Sequence, residues 1–164
     1  MKRLFFAAMF LGAMFLGTMA AATLLGAAAS AQNPPLPADA AANTAAGLTE
    51  IMILQQMRHI KLWFAGRAGN WPLADYEVGE LSDGFDDVNK LLGGDTVDAM
   101  VGAPIKALQK AIEDKNRTAF MTAFDSLSAG CNNCHHSLDH PFIVIQRPAV
   151  QPYSDQSFES PHKQ

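Results

Sequence analysis

The sequence predicts an all-α protein: an antiparallel four-helix bundle with an extended C-terminal tail. Apolar residues recur at steps of three and four in four separate segments, which is typical of amphipathic helices. Short connections rich in Gly, Pro and Asn separate those segments, and no alternation typical of strands occurs between them. We expect the bundle to occupy residues 46–140 and the extended tail to occupy residues 141–164.

The first helical segment, about residues 44–66, carries two apolar stripes. One stripe consists of Ile53, Met57, Ile60 and Phe64, and the other of Leu48, Met52, His59 and Trp63. Charged residues lie on the opposite side. So wide an apolar face predicts a helix that packs against more than one neighbour.

Helix-breaking residues then delimit the second segment. Residues 66–70 interrupt the first pattern, and Pro72 suits the first turn of the following helix. An apolar face then continues for five turns until Gly93, a residue typical of helix C-termini.

The third segment is weaker, and we expect a single turn near residues 97–101 followed by a helix that begins at Pro104. Asn116 suits the N-cap of the fourth helix, which Pro141 closes at about His140. The apolar stripe of this helix contains Phe120, Phe124, Leu127, Cys131 and Cys134. The helical phase therefore predicts that both cysteine sulfurs point into the core.

The N-terminus has the features of a secretory signal peptide. Lys2 and Arg3 precede a long apolar run, and residues 29–31 offer the small side chains that a signal peptidase accepts. We expect a signal peptide over residues 1–31 and a flexible leader over residues 32–45. The apolar run is also long enough to span a bilayer if it is not cleaved, and only then would we expect a membrane attachment. Either alternative places the rest of the chain outside the bacterial cytoplasm, in the periplasm.

The negative net charge of the mature chain bears on the kind of macromolecule that it can bind. Without Lys2 and Arg3, the 12 Lys and Arg residues fall to 10 against 16 Asp and Glu, a formal net charge of −6. Such an acidic surface argues against nucleic-acid binding. It is compatible with a soluble redox partner protein that carries positive charge.

The two cysteines of the chain, Cys131 and Cys134, both lie in a Cys-x-x-Cys-His motif that ends at His135. This motif is the attachment sequence of c-type haem. Each thiol adds to one vinyl group of the porphyrin, and the histidine supplies the proximal ligand of the iron. We therefore expect one covalent haem c.

Two other types of site could use the same residues. Cys131, Cys134, His136 and His140 could form a tetrahedral zinc site, although their spacing is tight on one helix. A thioredoxin-like dithiol is the other alternative, but its motif belongs next to a βαβ unit, which the sequence does not indicate.

The residue opposite His135 decides how the iron reacts. A strong sixth ligand favours electron transfer, whereas an open distal face lets a small gas bind. His59 is the tentative distal ligand, because it lies on an apolar stripe of the first helix. Met52, Met57 and an open site are the alternatives.

A four-helix bundle with Cys131, Cys134 and His135 on its last helix resembles the class II cytochromes c, the cytochrome c-prime group. The resemblance implies a periplasmic protein with one haem, often a homodimer, with either a five-coordinate gas-binding iron or a methionine ligand from the first helix. One departure is the length of the tail: about 24 residues follow the motif helix, where members of that family usually end much sooner.

These observations favour a periplasmic electron carrier that transfers single electrons and is not an enzyme, since no catalytic constellation of carboxylates or serines is visible. The alternative is a five-coordinate haem protein that binds a small gas ligand such as NO or CO. A third hypothesis is a haem subunit docked to a larger dehydrogenase or reductase.

Overall fold

The computed structural model describes residues 38–160, and these contain four α-helices and no strand. The helices are α1 (Ala38–Ala68), α2 (Trp71–Leu92), α3 (Thr96–Glu113) and α4 (Arg117–Ser137). Turns of two or three residues connect them, and each helix packs against the next along the chain, which confirms the all-α four-helix bundle.

The expected signal peptide, the leader up to residue 37 and the last four residues lie outside the described residues. Within residues 38–160, no helix combines the length and the apolarity that crossing a membrane requires.

Local signals in the sequence place the helix boundaries. The side chains of Asn70 and Asn116 each accept a hydrogen bond from the backbone N–H three residues on, at 3.3 and 3.0 Å, and so cap α2 and α4. Pro72 lies in the first turn of α2. Gly93 ends the same helix in the left-handed conformation, with φ of 71°. The cap at Asn116, the position of Pro72 and the end at Gly93 were expected from the sequence, because each depends only on neighbouring residues, whereas the cap at Asn70 was not anticipated.

α1 differs from the expectation in its start. The helix begins at Ala38, so that residues 38–45, expected to be part of a flexible leader, are helical. This stretch is rich in alanine, the residue with the highest helix propensity.

The buried face of α1 is only one of its two apolar stripes. His59 and Trp63 are each 5% exposed, whereas Ile53 of the other stripe is 63% exposed. Gln55 is also buried, and its amide nitrogen donates a 2.8 Å hydrogen bond to a backbone carbonyl of α2. Because this bond satisfies the buried amide, Gln55 can face α2 and Ile53 is left to face solvent.

α3 continues through Pro104 as one helix, so the expected helix start at that residue is wrong. Proline has no N–H to donate to the carbonyl of Met100, four residues earlier. That carbonyl instead lies against Gly130 of α4, where a Cβ atom would lie 2.6 Å from the oxygen. The close approach of α3 and α4 therefore depends on the missing side chain at Gly130.

α4 ends at Ser137, and residues 141–160, here called the tail strap, contain neither helix nor strand. The tail strap follows α4 and α1 back toward the turn between α1 and α2. Arg147 pairs with Asp125 of α4, and its guanidinium lies 4.9 Å from the centre of the Trp63 ring of α1. Further on, the buried ring of Phe158 packs near Phe64, with 5.9 Å between the ring centres. The tail strap thus contacts the bundle at separate points, while most of its residues are exposed.

Candidate cofactor site

An apolar cavity of about 460 Å³ lies in the half of the bundle where α4 ends. All four helices and the tail strap line it, through residues that include Met52, Leu81, Val101, Leu127 and Ile143. Cavities of roughly 300–1,000 Å³ with mainly apolar walls are typical of small-molecule and cofactor sites. The cavity is therefore large enough, and apolar enough, to hold an organic cofactor.

Both thiols of the motif line this cavity. Leu127 and Phe124, one and two turns before Cys131 on α4, are fully buried, so the apolar stripe of α4 continues into Cys131 and Cys134 as the sequence indicates. Burial, followed by the neighbouring Cys134, raises the pKa of the Cys131 thiol to about 12. Burial also raises the pKa of Cys134. Both sulfurs are free thiols that stay protonated at neutral pH.

His135 lines the cavity too, and the tail strap fixes its protonation pattern. Its Nδ1 lies 2.9 Å from the backbone carbonyl oxygen of Ile143. Because a carbonyl oxygen can only accept, Nδ1 carries the proton and the lone pair of the neutral ring is on Nε2. Nε2 has no hydrogen-bond partner among residues 38–160. This is the arrangement in which an imidazole can ligate a metal.

His59 is buried at the edge of the same cavity. Its Nε2 lies 2.9 Å from Oγ of Ser128, whose hydroxyl is 3.0 Å from the carbonyl oxygen of Phe124. Since the Ser128 hydroxyl donates its proton to that carbonyl, Nε2 of His59 donates to Ser128 and the lone pair of the ring is on Nδ1. Burial lowers the pKa of His59 to about 4, so the ring is neutral at pH 7.

The register of α1 against α4 decides which residue of α1 lies opposite His135. His59 contacts Ser128, and the two helices run in opposite directions. Met52 is seven residues before His59 on α1, and His135 is seven residues after Ser128 on α4. Because the helices are antiparallel, Met52 is level with His135, roughly 10 Å along the helix axis from His59. Met52 lines the cavity, whereas Met57 does not. Of the three candidates for the distal ligand, Met52 and His59 therefore share the cavity with His135, at different levels.

The two alternative sites find no support among the described residues. Within residues 38–160, no three His, Cys, Asp or Glu side chains come together as a group that could hold a metal ion. The zinc arrangement of Cys131, Cys134, His136 and His140 is therefore not formed. A thioredoxin-like dithiol needs a thiolate of lowered pKa, whereas the pKa of both thiols here is raised.

Sequence reasoning missed three residues that shape the site. Ser128 accepts the hydrogen bond of His59, Asn132 binds the tail strap, and Ile145 of the tail strap lines the cavity. Asn132 occupies one of the two variable positions of the motif, where the pattern itself gives no signal. The one available signal was the apolar run at residues 142–145, which follows the motif so closely that it can fold back onto it.

The chain matches no protein-family model, no curated protein and no solved structure. The residues that line the cavity nevertheless fit a covalently bound haem by their chemistry. Two protonated thiols are available for thioether bonds, and one imidazole with a free Nε2 is available for the iron. The remaining lining is largely apolar, as the faces of a porphyrin require.

Proposed function

We propose that the chain is an exported c-type cytochrome that transfers single electrons in the periplasm. Cys131 and Cys134 hold one haem c through thioether bonds, and His135 is the proximal ligand of its iron. The observation that carries this proposal is that the three side chains, all within five residues of α4, line the same apolar cavity. The resemblance to the class II cytochromes c adds the order of the helices, with the motif on the last of four.

The residues of the chain have distinct tasks in this function. Each thiol adds its S–H bond across one vinyl group, with the sulfur on one carbon and the hydrogen on the other, so that nothing is oxidised or reduced. His135 offers Nε2 to the iron while Ile143 holds Nδ1. The bound haem supplies reversible one-electron oxidation and reduction. The apolar walls exclude water from its faces, which tunes the reduction potential.

Met52 is the better candidate for the sixth ligand, because it is level with His135 and lines the cavity. A methionine from the first helix is also the ligand that the resemblance implies for the six-coordinate members of the class II cytochromes c, although the same resemblance allows a five-coordinate iron. His59 stays a prediction as a distal ligand. To ligate iron through Nε2, it would have to give up its 2.9 Å hydrogen bond to Ser128. With Met52 on the iron, the coordination is complete and outer-sphere electron transfer is the expected reaction.

Attachment is tested by producing the full chain, with its signal, in bacteria that export and mature c-type cytochromes. The periplasmic fraction is denatured, separated on a gel and stained for covalently bound haem. We expect staining of the wild-type chain and none of the double variant Cys131→Ala/Cys134→Ala.

The absorption spectrum of the same preparations tests the role of His135. His136→Ala is the matched control for His135→Ala, because His136 is exposed and does not line the cavity. His136→Ala should keep the wild-type spectrum, and His135→Ala should lose it. A wild-type chain without covalent haem would refute the proposal.

Absorption spectra of the oxidised, reduced and carbon-monoxide-treated protein test the reaction type. We expect a low-spin reduced protein that does not bind carbon monoxide. Met52→Ala should bind it, and Met57→Ala should not. If His59→Ala binds carbon monoxide and Met52→Ala does not, His59 is the ligand. A high-spin reduced wild-type protein that binds carbon monoxide fully would favour the alternative function, binding of a small gas.

A further inference from the structure

The side chain of Asn132 attaches the tail strap to the haem-binding motif through two hydrogen bonds. Nδ2 of Asn132 donates to the carbonyl oxygen of Ile145 at 2.9 Å, and the backbone nitrogen of Ile145 donates to Oδ1 of Asn132 at 2.7 Å. The amide of Asn132 therefore satisfies both backbone groups of one tail residue, as a neighbouring strand would. Two parallel hydrogen bonds fix the position of Ile145 relative to α4.

The same short segment supplies the hydrogen-bond acceptor for His135. Ile143 is two residues before Ile145, so in an extended chain the two residues have the same orientation, and both side chains line the cavity. The carbonyl oxygen of Ile143 accepts the Nδ1 proton of His135 at 2.9 Å. A turn connects His135 with Ile143: the backbone nitrogen of His140 donates to the His135 carbonyl at 2.8 Å, and the backbone nitrogen of Ile143 donates to the His140 carbonyl at 3.0 Å. Fixing Ile145 thus also fixes the carbonyl that orients His135.

We propose that Asn132 is a positioning residue for the proximal ligand, acting through the tail strap: it holds Ile145, and thereby keeps the Ile143 carbonyl on Nδ1 of His135. This inference deepens the proposed function and rests on it. It assigns different tasks to the two variable residues of the motif. Asn132 binds the tail strap, whereas Asn133 is exposed and has no side-chain hydrogen bond within the described part of the chain.

The physical consequence concerns the ligand that the iron receives. A hydrogen bond from Nδ1 to a carbonyl fixes the tautomer and the ring orientation of the imidazole. It also raises the basicity of Nε2, which makes this nitrogen a stronger ligand for a metal. Without the two bonds of Asn132, only the turn remains to hold Ile143, whose backbone nitrogen donates to the His140 carbonyl at 3.0 Å. Water could then compete with the Ile143 carbonyl for Nδ1 of His135.

The test compares Asn132→Ala with Asn133→Ala in ¹⁵N-labelled holoprotein. The measured quantities are the exchange rates with water of the Nδ1 proton of His135 and of the backbone amide proton of Ile145. We expect both protons to exchange roughly tenfold faster in Asn132→Ala, as the loss of two hydrogen bonds of ordinary strength implies. Asn133→Ala should match the wild type at both protons.

Two further variants keep the test decisive. Asn132→Asp retains the acceptor for the Ile145 N–H but loses the donor to its carbonyl, and it serves if the alanine variant does not fold. Arg147→Gln removes the contact of the tail strap with Asp125 and Trp63 but leaves Asn132 in place, so His135 should exchange as in the wild type.

The possible failures are distinguishable. Bound haem with unchanged exchange at His135 in Asn132→Ala and Asn132→Asp overturns this inference and leaves the proposed function intact. An equal effect of Asn133→Ala, or an equally large effect of Arg147→Gln, also overturns it, since the effect would then not be specific to Asn132. A wild-type chain that carries no covalent haem overturns the proposed function, and this inference with it.

Discussion

The two halves of the α1–α4 pair are built from the same helices, but the space between the helices is filled by side chains in one half and contains a cavity in the other. In the half near the turn between α1 and α2, here called the closed half, aromatic rings fill the space. Trp63 and Phe124 lie 4.8 Å apart between ring centres, and Phe120 and Phe124 lie 6.1 Å apart. In the other half, here called the open half, the same two helices border the cavity of about 460 Å³.

The difference arises from the side chains that meet at each level. In the closed half, a Cβ at Gly66 of α1 would lie 2.1 Å from the Phe120 ring, so glycine makes room for a ring of the opposite helix. In the open half, Met52 is level with His135, and the space between α1 and α4 is left as the cavity, which Phe85 of α2 also lines. The closed half is thus filled by side chains of the protein itself, whereas the open half contains the cavity in which we propose that a cofactor binds.

The largest expected effect follows from removing the cofactor from the open half. An empty apolar cavity costs about 24 cal/mol per Å³, which for this volume gives an upper limit of roughly 10 kcal/mol, comparable to the whole stability of a domain. We expect the double variant Cys131→Ala/Cys134→Ala to lose amide protection in the open half and to keep it around Phe124. Hydrogen exchange measures this directly. Equal protection of both halves would contradict the division.

A substitution in the closed half should lower the stability of the whole protein. Phe124 is fully buried and contacts His59 and Trp63, with ring centres 4.3 and 4.8 Å away. We expect Phe124→Ala to lower the free energy of unfolding by about 3–5 kcal/mol in denaturant titrations. Phe142→Ala is the matched control, because Phe142 is 77% exposed, and its effect should stay within about 0.5 kcal/mol. A similar loss in both variants would show that the closed half has no special role.

His59 lies at the boundary of the two halves, and its burial makes stability depend on pH. Its pKa falls from 6.5 to about 4 on folding, so the unfolded chain binds a proton at a higher pH than the folded chain does. Stability is therefore complete above pH 6.5 and decreases as the pH falls toward 4, by about 3 kcal/mol from this group.

Unfolding titrations between pH 7 and pH 4 test this dependence on His59. In His59→Phe the contribution should disappear, and the remaining slope should come from groups that both proteins share. The same slope in the variant and in the wild type would contradict the assignment to His59.

A smaller effect is expected where α3 contacts the motif helix. In Gly130→Ala the new Cβ would meet the Met100 carbonyl at 2.6 Å, and a backbone atom cannot move aside easily. We expect a loss of about 1–3 kcal/mol. Because Cys131 is the next residue, we also expect a shifted haem absorption band. Gly79→Ala has free space around the new Cβ and should stabilise the protein by about 0.5–1 kcal/mol. An equal gain in both variants would show that the contact with the Met100 carbonyl does not limit the packing of α3 against α4.

The sequence predicted the elements that depend on neighbouring residues. The cap at Asn116, the place of Pro72 in the first turn of α2 and the end of α2 at Gly93 follow from local hydrogen bonds and backbone conformation. The phase of the cysteines on α4 follows from helical periodicity, so the motif half of the site was predictable as well.

Features that depend on distant partners were not predictable. Ile53 and His59 both lie on apolar stripes of α1, and only the positions of α2 and α4 decide that Ile53 is exposed. Pro104 looked like a helix start, because the contact of the Met100 carbonyl with Gly130 cannot be seen from α3 alone. The bond of Asn132 to Ile145 joins residues whose proximity depends on how the tail folds back.

The hydrogen bonds of Asn132 also give a pattern by which related sequences can be recognised. Asn132 and Ile145 are 13 positions apart, and apolar residues stand eight and ten positions after His135, followed by Arg147 two positions later. A search for Cys-Asn-x-Cys-His with this downstream spacing would select chains in which a tail segment that follows the motif helix lines the cavity, as Ile143 and Ile145 do here. It would pass over the many c-type sequences that share only the attachment motif. The second variable position of the motif should vary freely among the chains so found, and the first should not.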